Sequence, residues 1–156
     1  MSATVIILIV LVVAMVVGPV AMMQPNSGQR RREHLRQYAR ESGLTVRLLP
    51  PPQQATDSAA PSAMPVYSLV TGTTQPSWSL MRTSYEHESH VQGWWQFLGS
   101  KPTDLHRTNI EAVLEELPDG VVGLRSGARQ VDIFWRENGE EQAIDQLLSC
   151  LKKLSV

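Results

Sequence analysis

From Ala3 to Met23 the chain places one polar side chain, Thr4, in an otherwise apolar run without a charge. At a helical rise of 1.5 Å per residue such a run spans about 31 Å, the thickness of a bilayer's hydrocarbon core. The pattern predicts a single N-terminal transmembrane helix, an anchor over 1–25. Its flanks argue against a removable signal peptide, because Met1-Ser2-Ala3 brings no basic side chain and Gly18-Pro19-Val20-Ala21 no small-x-small cleavage site.

Beyond the run the periodicity changes several times. Gln29 to Ser42 reads as a helix capped by Asn26 or Ser27, with Leu35, Tyr38 and Ala39 on one side and Gly43 in the C′ position. Leu44 to Leu49 alternates as a strand until Pro50-Pro51-Pro52 stops it, so 26–52 forms a basic juxtamembrane helix and strand. Residues 53–65 hold Met64 as their one large apolar side chain and read as a linker or long loop.

The remaining stretch, 66–156, has the signature of a small α+β domain. Val66 to Thr71, Ser77 to Thr83 and Trp94 to Leu98 are short strand candidates. Thr103 caps a helix in which Ile110, Val113, Leu114 and Leu117 recur at helical spacing until Pro118-Asp119-Gly120. Val121 to Leu124 and Val131 to Arg136 flank a turn expected at Ser126-Gly127, with Val131, Ile133 and Trp135 on one face of the second strand. A last helix from about Glu140 to Leu154 buries Ile144, Leu147, Leu148, Leu151 and Leu154. Hairpins with two or three amphipathic helices predict a two-layer fold, a mostly antiparallel sheet covered on one side.

Charge sharpens the topology. Residues 27–49 carry six Arg against Glu33 and Glu41, a formal +4 in a chain of net −1. Arg30, Arg31, Arg32, Arg36 and Arg40 follow the apolar run closely, and basic flanks stay in the cytoplasm. The expected arrangement is therefore a bacterial-type inner-membrane protein with its N-terminus outside and its domain in the cytoplasm. The same arginines would meet lipid headgroups. An acidic outer domain with little aromatic interleaving among the arginines excludes a nucleic-acid partner. Cys150 is the single cysteine and sits in an apolar helical setting, which makes it a packed thiol.

Candidate chemistry is sparse. His87 and His90 in Tyr85-Glu86-His87-Glu88-Ser89-His90 have no second ligand pair elsewhere, so no metal site is assigned. No nucleophile elbow, phosphate loop or convergent acid–base set appears, and the reading is of a protein without catalytic residues or cofactor. Trp94 and Trp95 are adjacent, so in a strand they face opposite ways, and the one away from the core is either covered by the chain's own 26–52 helix or strand or left for a partner surface.

In its layout of an apolar run followed by Gln29-Arg30-Arg31-Arg32-Glu33-His34, the segment 1–43 resembles the small accessory subunit of the bacterial Sec translocase. The domain beyond does not share that family's short β-rich tail, and no function is carried over. The expectation is an accessory or interaction subunit holding a protein partner at the inner membrane, of a translocase or respiratory complex. The alternative is a tethered small-ligand sensor or enzyme domain with a pocket between sheet and helices.

Overall fold

The computed structural model describes residues 2–22, 26–54 and 57–155, with the backbone alone at 19–22. Met23 to Pro25 of the expected anchor, and Ala55 and Thr56 of the expected linker, lie outside the described residues. The chain divides into two compact units, Met1–Glu33 and His34–Val156.

The apolar run forms helix α1, Ala3–Met22. The expectation of a transmembrane anchor is nevertheless not met: among the described residues, no helix is long and apolar enough to cross a membrane. The single-pass, signal-anchor and inner-membrane reading falls with it, as does the orientation drawn from Arg30, Arg31, Arg32, Arg36 and Arg40.

Helix α2, Ser27–Glu41, starts at a reciprocal cap. The Gln29 N–H donates to Asn26 Oδ1 at 2.8 Å and the Asn26 N–H to Gln29 Oε1 at 3.1 Å, satisfying two donors that a helix start leaves open. At its other end Gly43, at φ +89°, lets the Leu44 N–H return to the Ala39 carbonyl at 2.9 Å.

Six strands follow as one antiparallel sheet: β1 Thr45–Leu49, β2 Met64–Val70, β3 Trp78–Arg82, β4 Trp95–Leu98, β5 Val121–Gly127 and β6 Gln130–Trp135, in the order β1-β2-β6-β5-β3-β4. Helix α3, Asp104–Leu114, precedes β5, and α4, Glu141–Leu154, ends the chain. The architecture is the expected α+β fold, with a six-stranded antiparallel sheet and four helices among the described residues.

Register explains the core. Val46, Tyr67, Ile133, Leu124, Leu80 and Phe97 oppose one another across the sheet and therefore share a face. That face joins Leu35 and Ala39 of α2, Ile110 and Val113 of α3, and Ile144, Leu147 and Leu151 of α4 in one apolar core. The other face carries Val66, Ser68, Asp132 and Phe134, all buried yet outside that helix-side core. The β5–β6 turn lies two residues later than the sequence suggests. Gly127 still pairs with Gln130, and Ala128 takes the left-handed φ of +50°. The turn is held by its surroundings, since the Thr71 and Gln75 N–H groups donate to the Arg129 and Ala128 carbonyls at 2.7 and 2.8 Å.

Two positions in β5 give opposite expectations. A Cβ at Gly123 would collide with the Met81 sulfur and press on the Leu80 carbonyl, so Gly123→Ala lowers stability by about 1–3 kcal/mol. Ser126 Oγ is buried on the helix-side face with no hydrogen-bond partner among the described residues. Ser126→Ala removes that unsatisfied group and leaves stability unchanged or up to about 1 kcal/mol higher. Urea unfolding of the two variants beside the parent measures both.

Candidate functional site

The arginines of α2 do not form one surface set. Arg32 Nε donates to the Gly28 carbonyl at 3.2 Å within its own helix, and Arg30 and Arg31 are also engaged. Arg36 turns inward: its Nε and NH2 donate to the two carboxylate oxygens of Glu137 at 2.6 and 3.0 Å. Glu137 is buried, at φ +59° just beyond β6, and it also accepts from the Tyr67 hydroxyl at 3.1 Å. Burial, then the Glu137 charge and that hydrogen bond, hold the Tyr67 hydroxyl above its ordinary pKa; Arg36 and Arg40 oppose this. The Tyr67 ring meets Trp135 edge-on at 5.5 Å.

A second buried carboxylate organises the face away from the helices. Asp132 accepts from Ser68 Oγ at 2.6 Å, from Gln130 Nε2 at 2.8 Å, and from Arg125 at 2.9 and 2.6 Å. Arg125 in turn lies 5.3 Å over the Phe134 ring. Each oxygen of Asp132 is thus paired, as a buried charge requires. The sequence did carry a signal for this site, an Asp between Val131 and Ile133 in an apolar strand, but its partners come from β2 and β5.

The two tryptophans separate as their adjacency requires. Trp95 is 8% exposed and belongs to the core, whereas Trp94 is 38% exposed with the Arg82 guanidinium 5.9 Å over its ring. Around Trp94 the 83–94 loop is tied by the Thr83 N–H to the Trp94 carbonyl at 2.8 Å and the His87 N–H to the Gly93 carbonyl at 2.9 Å. Gly93 has φ +77°, and a Cβ there would meet Glu86 Oε1 at 2.9 Å. Tyr85 stands exposed beside His90, ring centroids 5.3 Å apart, and His87 lies at the same distance from His90.

The polar contacts of this loop are local ones. His87 Nδ1 and Ser89 Oγ are 2.8 Å apart, but both residues are exposed on one turn and the Ser89 N–H also points at that nitrogen, at 3.1 Å. The Thr83 hydroxyl lies within reach of the Tyr85 and Trp94 carbonyls, at 2.7 and 2.9 Å. That commits its proton to a carbonyl rather than to His90 Nδ1 at 3.3 Å. Among the described residues, no three His, Cys, Asp or Glu side chains come together to hold a metal ion. Cys150 is buried and its thiol is pushed up to about 11 by burial first and the nearby Glu116 second.

Cavities border these elements, and two of them touch the sheet. One, of about 450 Å³, lies between β4 and the start of α3, lined by Val91, Trp95, Phe97, Lys101 and Arg107. The other, of about 410 Å³, lies where Pro51, Pro52 and Pro61 approach Met81, Val122 and Arg136. The fold defines a class of architecture, an α+β domain on a six-stranded antiparallel sheet. No protein-family model and no curated protein matches the chain. Among solved structures, the crystal structure of the mycobacterial trehalose monomycolate transport factor A, TtfA, is similar to it. The likeness covers 81% of this chain and 91% of that one, at 9% identity and a TM-score of 0.47.

The buried groups set the response to mutation and pH. Arg36→Ala leaves the Glu137 carboxylate buried without its principal cation, and the expected loss is about 3 kcal/mol. Arg40→Ala serves as the exposed control in the same unfolding experiment. The raised Cys150 pKa contributes stability that is complete below about pH 9 and is lost as pH rises through about 11. At pH 8 iodoacetamide therefore labels Cys150 far more slowly in the folded protein than in urea, and a folded-state rate equal to the unfolded one would refute the packed thiol.

Proposed function

We propose that the chain is a non-catalytic accessory subunit that works by holding a protein partner. The observation that carries the reading is α1, whose side chains from Val5 to Val17 are exposed and apolar, Leu8 at 65%, Leu11 at 61% and Met15 at 75%. A contiguous apolar surface of that extent is not left in water, and it marks an interaction site. The exposed pair of Trp94 and Tyr85 supports the same reading, since large aromatic side chains on rigid loops are the residues on which interfaces concentrate binding energy. The absence of an enclosed acid–base or nucleophile set among the described residues favours binding over catalysis.

The reading divides the labour within the chain. The apolar helix supplies affinity, and the aromatic loop supplies selectivity. Chemical cross-linking and co-purification of the full, C-terminally tagged chain from its own cell test this. A stoichiometric protein partner is expected, weakened at least tenfold by Leu8→Lys with Val12→Lys and measurably by Trp94→Ala. Trp94→Ala leaves the melting temperature close to that of the parent, because the side chain is on the surface. Recovery of the intact chain without any cross-linked protein would sink the proposal.

A further inference from the structure

The segment 50–63 leaves β1 at Leu49 and returns at Met64, two residues that face each other across its base. It does not close as a tight hairpin. Gln54 Nε2 donates to the Arg82 carbonyl at 3.3 Å, so the described stretch 50–54 reaches past β2, β6 and β5 to the end of β3, as a strap. Gln54 and Asp57 are linked to each other, with the Gln54 N–H on Asp57 Oδ2 at 2.7 Å and the Asp57 N–H on the Gln54 carbonyl at 3.0 Å.

Beneath the strap lies the cavity of about 410 Å³, within the range that takes small organic ligands. Its strap wall is three proline rings, and Met81 and Val122 add apolar surface from the sheet. Proline offers no N–H, so that wall contributes apolar contact at little conformational cost. Arg82 and Arg136 both line the cavity; the Arg82 guanidinium lies over the Trp94 ring, which leaves Arg136 to supply the charge. Its N–H is already used by the Gly120 carbonyl at 3.0 Å, while its exposed guanidinium lines the cavity without an ion pair among the described residues. Asp57, the one carboxylate among the described lining residues, accepts the Gln54 N–H through Oδ2.

We infer that this cavity binds a small apolar carboxylate, its anion on the Arg136 guanidinium and its body between the strap prolines and Met81. The planar fork of arginine matches a carboxylate with two parallel hydrogen bonds. The site is independent of the partner-holding role of α1 and does not rest on it.

Phenylacetate is the probe, titrated into the full isotope-labelled chain and followed by amide chemical shifts, with phenylacetamide as its neutral counterpart. Phenylacetate is expected to shift Gln54, Val122 and Arg136 together and to bind at least tenfold more tightly than phenylacetamide. Arg136→Gln removes that advantage, Arg136→Lys restores part of it, and Val122→Trp weakens both compounds by filling the space. Equal affinity for the two compounds, an unchanged affinity in Arg136→Gln of parental melting temperature, or no shift at these residues would each overturn the assignment.

Discussion

The Glu137 carboxylate, buried where β6 ends, is the interaction on which the joining of helix and sheet depends. A carboxylate taken out of water is tolerable only when its oxygens are paired, and here the partners come from distant parts of the chain. Arg36 of α2 binds both oxygens, and Tyr67 of β2 donates to one of them. The left-handed backbone at Glu137 turns the chain out of β6 at this point, and the Trp135 indole N–H is fixed on the Asp119 carbonyl at 2.7 Å. Around these polar contacts, α2 is held on the sheet by Leu35 and Ala39, both almost fully buried. It is tied further to α4 by the Tyr38 hydroxyl on Asp145 at 3.1 Å and His34 beside Glu141 at 3.0 Å.

The two faces of the sheet are covered by different physics. On the helix side, close packing of aliphatic and aromatic side chains supplies the hydrophobic stabilisation, about 25 cal/mol for each Å² of apolar surface removed from water. On the other side the central strands bury Asp132 and Ser68 beside Val66 and Phe134. Cover there is a guanidinium laid over a ring, a paired carboxylate and a proline-rich strap. Such cover stabilises less per unit area than an apolar layer, and it leaves space. The same chain therefore has one face committed to the core and another on which a cavity can persist.

Surface features follow the same division. The Trp94 ring is available because it stands on the turn just before β4, whereas Trp95, the first residue of β4, is consumed by the core. The loop that carries Trp94 is fixed by backbone hydrogen bonds and by the tight approach of Glu86 to Gly93, which pre-organises the exposed aromatic rings and reduces the entropy lost on contact. The apolar side chains of α1 are of another kind, exposed along the helix from Val5 to Val17.

Local pattern determined most of the elements. The alternation of Val131, Ile133 and Trp135 is enough to place β6 with that face inward, and the spacing of Ile144, Leu147 and Leu151 is enough for α4, because both patterns express the period of the backbone itself. Asn26 followed three residues later by Gln29, and Gly43 after the last helical turn, mark the ends of α2 for the same local reason. What the sequence could not settle was anything that depends on residues far apart in the chain. Composition presents Arg36 as one more member of a basic cluster, and Glu137, 101 residues later, converts it into a buried partner. Asp132 looks misplaced until Ser68 and Arg125 are brought beside it, and 53–65 reads as a linker or long loop until Gln54 finds Arg82. The apolar run made the helix α1 legible, Ala3–Met22 against a run read from Ala3 to Met23. Periodicity is a property of neighbours in sequence, whereas charge pairing, cavities and exposure belong to neighbours in space.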